Sequence, residues 1–190
     1  MRLRVVVVGI PGVGKTTVVQ ASAARMRGGR LVTFGSVMLE EALKLKWIKH
    51  RDELRKMRVE KQKRLQKIAA ERISKMKDAA LFVDTHLFIR THEGFWPGLP
   101  FEVVRALKPS HLVLIEAGSD EIVARRSRDK TRYRDTMTKH ELESELSLAR
   151  SFLTVASSLT GAPILILRND EGKVDKTVNK LIAVLKEARA

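Results

Sequence analysis

Val5 to Val8 form an unbroken β-branched run, and four more short apolar stretches recur along the chain between longer polar segments. The five stretches, Leu3–Val8, Arg30–Phe34, Ala80–Asp84, His111–Glu116 and Pro163–Leu167, predict strands. Continuous rather than alternating apolarity is the mark of strands covered on both faces, as in a parallel sheet. The intervening segments read as helices. Thr17 to Met26 has helical composition, closed by Gly28-Gly29. Met38–Trp47 follows, then Asp52–Met76, where Leu54, Met57, Leu65, Ile68, Ala69, Ile73 and Met76 recur at three- and four-residue intervals. Pro100 fits the first turn of a helix through Leu107. Thr138 with Glu141 is a capping-box start for a helix through about Leu159, ended by Gly161, and Lys173–Arg189 makes the last helix. Thr85 to Pro100, with Gly94, Pro97, Gly98 and Pro100, reads as a long irregular loop, and such loops in compact domains usually serve function. The alternation predicts an α/β domain: a five-stranded parallel sheet flanked by helices.

Composition narrows the chemistry. A chain of 190 residues with 44% apolar side chains suits one domain with a sizeable core. Without cysteine there is neither a disulfide frame nor a thiolate metal site. No apolar run is long enough to span a bilayer and no signal peptide precedes the first strand, so a cytoplasmic protein without a membrane partner is expected. Scarce Asn and Gln with 31% charged residues match the bias of thermophilic proteins. The net charge is +15, and residues Lys44 to Lys77 hold fourteen basic and four acidic side chains. A second cluster, Arg125 to Arg134, holds six basic residues and Asp129. Clustering of this kind suits polyphosphate ligands, and equally RNA or an acidic partner.

The most specific motif is Gly9-Ile10-Pro11-Gly12-Val13-Gly14-Lys15-Thr16, a complete G-x-x-x-x-G-K-[ST] loop between a predicted strand and a predicted helix. Its glycines turn consecutive backbone N–H groups onto phosphate oxygens. Lys15 brings a charge to the β/γ-phosphates, and the Thr16 hydroxyl is a ligand for Mg²⁺. Asp84, at the end of the third predicted strand, stands where a carboxylate meets that metal. Arg55, Arg90, Arg125, Arg126, Arg128, Arg132 and Arg134 exceed what one triphosphate needs, which points to a second phosphate-bearing substrate. A phosphate acceptor is already ionised and needs no general base. His86 is close enough to Asp84 to line the site, while His50, His92, His111 and His140 read as structural or surface residues.

These motifs resemble those of the archaeal-type adenylate kinases, among the P-loop nucleoside monophosphate kinases. The likeness covers nearly the whole chain: Gly9 to Thr17, Phe34-Gly35-Ser36-Val37-Met38, Arg51 to Lys56, Val83-Asp84-Thr85-His86, Ile89-Arg90-Thr91, Gly94 to Pro100, Thr131 to Asp135, and Ala149-Arg150. His92-Glu93 and Phe95-Trp96 depart from the family's usual residues. The resemblance implies the reaction ATP + AMP ⇌ 2 ADP with Mg²⁺. It implies a core (1–34, 80–124, 139–190), an AMP-binding region (35–79), a short lid (125–138) and a homotrimer. It also implies that Arg55 and Arg90 hold the AMP phosphate, in a pocket shaped by Phe34, Gly35 and the loop Asp84 to Pro100 with Thr85, His86, Gly94 and Gly98. Lys15, Arg126, Arg132, Arg134 and Arg150 would clamp the transferring phosphoryl group, and Asn169 to Gly172 would border the adenine of ATP.

Two other readings stay open on sequence alone. One is an RNA- or ribosome-associated P-loop ATPase, favoured by the basic segment, although its basic helix interleaves no aromatics suited to base stacking, Trp47 lying before it and Tyr133 far off. The other is a kinase of a different nucleoside monophosphate. A sugar or metabolite acceptor would need a general base, for which Asp84 is the evident candidate.

Overall fold

A computed structural model describes residues 2–91, 93–128 and 137–189, without the side chains of Arg55, Arg90 and Thr91. Arg132 and Arg134, most of the expected lid, and His92 therefore lie outside the described residues. Five parallel strands, β1 (Leu3–Val8), β2 (Gly29–Thr33), β3 (Ala80–Asp84), β6 (His111–Glu116) and β7 (Ile164–Arg168), form one sheet in the order β2-β3-β1-β6-β7. A separate antiparallel pair, β4 (Phe88–Thr91) and β5 (Gly94–Pro97), stands outside it. Seven α-helices are described: α1 (Lys15–Arg25), α2 (Phe34–Lys44), α3 (Val59–Ser74), α4 (Phe101–Leu107), α5 (Ser119–Arg128), α6 (Lys139–Thr160) and α7 (Val174–Glu187). Helices cover both faces of the sheet, so the central strands β1, β3 and β6 are buried along their whole length, apart from half-buried Arg4. Val5 to Val8, Phe82 and Leu112 to Ile115 form the centre of the core, all fully buried.

Several boundaries differ from the sequence expectation for physical reasons. Phe34 does not end β2 but begins α2, its ring taken up in the core, so α2 starts four residues earlier than expected and stops at Lys44. The stretch Asp52–Met76 is not one helix. Arg51–Lys56 forms a 3-10 turn, and Met57 and Arg58 are extended with ψ of 147° and 144° before α3 begins. Leu54 and Met57 pack on a small satellite core of Ala42, Ile48 and Leu65, whereas Ala69 and Ile73 further along α3 join the main core. The expected irregular loop after Asp84 is largely the β4–β5 hairpin, with Ile89 paired to Trp96 and Gly94 at φ 115° beside its turn. Helix α5 carries Arg125, Arg126 and Arg128 of the second cluster, in a segment that the apolar pattern of the sequence does not mark as helical. The Thr138 capping box is present, its Oγ1 accepting from the Glu141 N–H at 3.2 Å, and Gly161 ends α6 at φ 70°.

His111 opens β6, buried, with Nδ1 3.1 Å from the Ser110 hydroxyl. Burial pushes its imidazole below the ordinary histidine range, because the charged form loses water. In the unfolded chain the ring takes up a proton near pH 6.5. The unfolded state thus binds more protons over the window just below that pH, and stability falls as pH drops through it toward the lowered folded value. Thermal melts at pH 7.5, 6.0 and 5.0 should show this loss, and His111→Gln should flatten it.

Candidate active site

The loop between β1 and α1 leaves the carboxyl edge of the sheet, where open α/β sheets bind ligands. Gly12 and Gly14 adopt φ of 97° and 81°, which turns successive N–H groups toward one concavity. A Cβ on Gly14 would collide with the Asn169 side-chain amide, so the loop is shaped as much by its neighbour as by its own sequence. Asn169 donates from Nδ2 to the Val13 carbonyl at 2.9 Å and is 2% exposed.

Lys15, the first residue of α1, is buried and ion-paired with Asp84 Oδ1. Thr16 Oγ1 donates to Asp84 Oδ2 at 3.3 Å. The three residues that the motif and the third strand nominated separately therefore meet, because β3 lies beside β1 with Val7 in register with Asp84. Both oxygens of Asp84 are engaged, one by a cation and one by a hydroxyl, which argues against a free general base there. A hydroxyl beside a buried carboxylate is the oxygen donor set that suits Mg²⁺, which takes one or two protein oxygens and keeps the rest for water and phosphate. Thr16 and Asp84 thus fit the metal, and among the described residues no group of three acidic or His side chains offers an alternative.

Helix α5 brings the arginines to this loop. Arg126 donates from Nε and Nη2 to the Pro11 carbonyl at 2.9 and 2.7 Å, and so lies over the phosphate loop. Arg125 is a brace: it donates to the Val13 carbonyl at 3.2 Å, the Asn169 carbonyl at 2.9 Å and Glu171 Oε2 at 2.8 Å. Arg128 pairs with the other Glu171 oxygen at 2.9 Å. Together these interactions frame a cavity of about 470 Å³ bounded by Gly14, Thr17, Arg125, Asn169, Glu171 and Gly172. The segment expected to border the adenine thus opens directly beside the phosphate loop.

Arg150, on α6, grips Glu116 with Nε and Nη2, both at 2.7 Å. The carboxylate raises the guanidinium further above its ordinary pKa through the hydrogen bond and its charge. Glu116 is the last residue of β6, at the same sheet edge, and its backbone carbonyl accepts from Asn169 N–H at 2.8 Å. The β4–β5 hairpin, which carries Arg90, docks on α6 through Phe88, edge-on to Phe95 at 4.9 Å and to Phe152 at 5.7 Å. Phe152 is two residues beyond Arg150. Thr85 is buried, His86 exposed, and Gly98 buried at the hairpin base, its N–H donating to the Leu87 carbonyl at 2.7 Å. Gly35 is exposed at the start of α2 and Gly94 at the hairpin turn. Ile10 is buried and Pro11 and Thr17 are exposed. Glu116 and Glu171, which orient Arg150, Arg125 and Arg128, escape a reading of the sequence, since carboxylates scattered along the chain give no sign of their distant partners.

Known proteins are similar to this chain over nearly its whole length. A model of the AAA domain family matches residues 8–143. An adenylate kinase of Pyrococcus horikoshii is 42% identical over 184 residues, covering 95% of this chain and 94% of the relative. One from Methanocaldococcus jannaschii is 41% identical over 187 residues, covering 96% and 97%. The chain belongs to the archaeal-type adenylate kinases. In three dimensions, a shikimate kinase from Bacteroides thetaiotaomicron superposes with a TM-score of 0.65 at 13% identity, covering 97% of this chain and 98% of that one. At that identity the likeness is one of fold, the P-loop kinase fold. In this adenylate kinase family member no helix among the described residues is long and apolar enough to cross a membrane.

Proposed function

We propose that the chain is an adenylate kinase that transfers a phosphoryl group reversibly from ATP to AMP, giving two ADP, with Mg²⁺. The observation that carries the mechanism is the meeting of Lys15, Thr16 and Asp84 beneath the phosphate loop. Phosphoryl transfer asks little of a protein beyond alignment and neutralisation of charge on the migrating group. The loop Gly9 to Thr17 holds the triphosphate by its backbone N–H groups, and Lys15 turns its ammonium to the β/γ-oxygens. Thr16 and Asp84 would hold Mg²⁺, which would supply neutralisation of the phosphate charge. The adenine of ATP occupies the cavity beside Asn169. AMP lies across the edge, its phosphate on Arg55 and Arg90, bordered by Phe34 and Gly35 at the start of α2 and by Thr85, His86, Gly94 and Gly98. Because the Phe34 ring is in the core, its share of the pocket is backbone. Arg126, Arg132, Arg134 and Arg150 collect the charge of the transferring group. The division of labour is a core, an AMP-binding region at 35–79 and a lid at 125–138, whose first residues continue helix α5.

An acceptor hydroxyl, as in the sugar and shikimate kinases, would need a free base. The engagement of both Asp84 oxygens disfavours it, whereas an acceptor phosphate needs none. We further propose a homotrimer in the cytoplasm on the family resemblance; light scattering tests the assembly. For the reaction, ADP formation from Mg-ATP is measured with AMP, CMP, UMP, GMP and no acceptor. Rapid turnover is expected with AMP alone and is lost with EDTA. Slow hydrolysis indifferent to every monophosphate would sink the proposal.

A further inference from the structure

The phosphoryl-transfer site takes one side chain, Arg55, from the most basic part of the chain. Between Lys44 and Lys77 fourteen basic residues face four acids. Arg72 is paired with Glu40 and Glu41 at 2.7 and 2.8 Å, and Lys67 approaches Glu102 at 3.8 Å. Lys56, Arg58, Lys61, Lys63 and Arg64, by contrast, are exposed, and none of them joins an ion pair with a carboxylate among the described residues. Packed positive charge without counter-charge is costly to keep unless something anionic covers it.

The same face holds an aromatic ring in a fixed place. Just beyond the end of helix α2, Lys46 has φ 54°, a left-handed backbone that glycine would adopt more easily. The Lys46 N–H reaches the Leu43 carbonyl at 3.0 Å and the Trp47 N–H the Ala42 carbonyl at 2.9 Å, so the stop pins Trp47 against the satellite core. Lys61 Nζ and the Arg64 guanidinium lie 5.7 and 5.5 Å from the centre of its ring. Beside it opens a cavity of about 340 Å³ walled by Trp47, Met57, Lys56, Arg58 and Lys61. Its one carboxylate, Glu53, already accepts from the His50 and Lys49 N–H groups at 3.2 and 3.4 Å. None of these walls belongs to the phosphate loop, and α2, with 11 residues and so about 16 Å long, separates Phe34 from this end.

We propose that this cavity and its basic rim bind single-stranded RNA: one base enters beside Trp47 and Met57, and the flanking phosphates lie on Lys56, Arg58, Lys61 and Arg64. Stacking on a fixed aromatic within a basic groove is how unpaired strands are held without sequence preference. A membrane surface or a duplex presents no flat group able to enter a concavity.

The test uses the full chain and a fluorescent twelve-nucleotide oligouridylate, followed by anisotropy, with a bisubstrate analogue (two adenosines joined by a polyphosphate) filling the ATP and AMP subsites. Binding should persist with the analogue present. The K61A/R64A double variant should bind about tenfold more weakly. Its log K against log salt should be shallower by about 1.4, since each phosphate left without its cation takes about 0.7 from the slope. Trp47→Leu should lose about tenfold and Trp47→Phe retain most of the affinity. ADP formation from ATP and AMP stays within twofold in all four proteins, which separates this site from the transfer site and reports folding. Displacement by the analogue, indifference to K61A/R64A, equal affinity for duplex RNA, or preference for polyglutamate or phosphatidylserine vesicles would each overturn it.

Discussion

Lys15→Met is expected to cut phosphoryl transfer about a thousandfold, the scale of losing a preorganised charge at the migrating group. Methionine nearly matches lysine in length, so the loop keeps its shape while the charge disappears. The side chain is 8% exposed and its partner Asp84 is still more buried, so the substitution also leaves a carboxylate without a counter-ion inside the protein. Breaking a buried pair from one side costs about 3 kcal/mol, and a lowered melting temperature should accompany the lost activity. The two effects can be separated. K15M/D84N removes the orphaned charge, and its melting temperature should return most of the way while turnover stays low. Asp84→Asn alone should lower activity chiefly by weakening the hold on Mg²⁺, so that half-maximal turnover needs more of the ion. If Lys15→Met turned over at near the parent rate, the phosphate-loop assignment would be wrong.

That loop is fully legible in the sequence because its chemistry is local: glycines, a lysine and a hydroxyl at fixed spacing. The central strands β1, β3 and β6 are legible to the residue for a related reason, since burial on both faces makes their interiors apolar apart from Arg4, while Asp84 closes β3 and His111 and Glu116 bound β6. The edge strands β2 and β7 each start one residue away from the sequence expectation, where Gly29 and Pro163 flank half-exposed backbone. Harder cases arise where periodicity and backbone disagree. The helix-like spacing of Leu54, Met57 and Leu65, three and then eight residues, continues across the extended Met57 and Arg58, because all three face one satellite core although they belong to different elements. The hairpin hides because its strands are four residues each and its glycines and prolines read as loop. Helix α5 hides because Ile122 is its one buried apolar residue. Its arginines are visible as charge, but their sorting into a brace (Arg125), a residue over the loop (Arg126) and a partner of Glu171 (Arg128) depends on carbonyls and carboxylates more than forty residues away.

Arg150 carries the second large expectation. Alanine there should lower the turnover number about a hundredfold with little change in the Michaelis constants, as befits an interaction made mainly as charge shifts onto the migrating group. Glu116 occupies Nε–H and one Nη2 N–H, which leaves three N–H donors of the planar fork for phosphate oxygens. The carboxylate thus acts as a positioning group: it fixes the plane of a guanidinium whose side chain is 57% exposed and would otherwise wander. Glu116→Gln keeps one acceptor and loses the charge, so turnover should fall about tenfold. Arg150→Lys should not recover activity, because an ammonium cannot grip Glu116 with two donors and still face a phosphate. The decisive measurement is the double variant R150A/E116Q. If Glu116 works only through Arg150, the double variant will be no slower than R150A, a coupling near tenfold between the two sites. Independent, multiplying losses would show instead that the Glu116 carboxylate serves the reaction by a route other than Arg150.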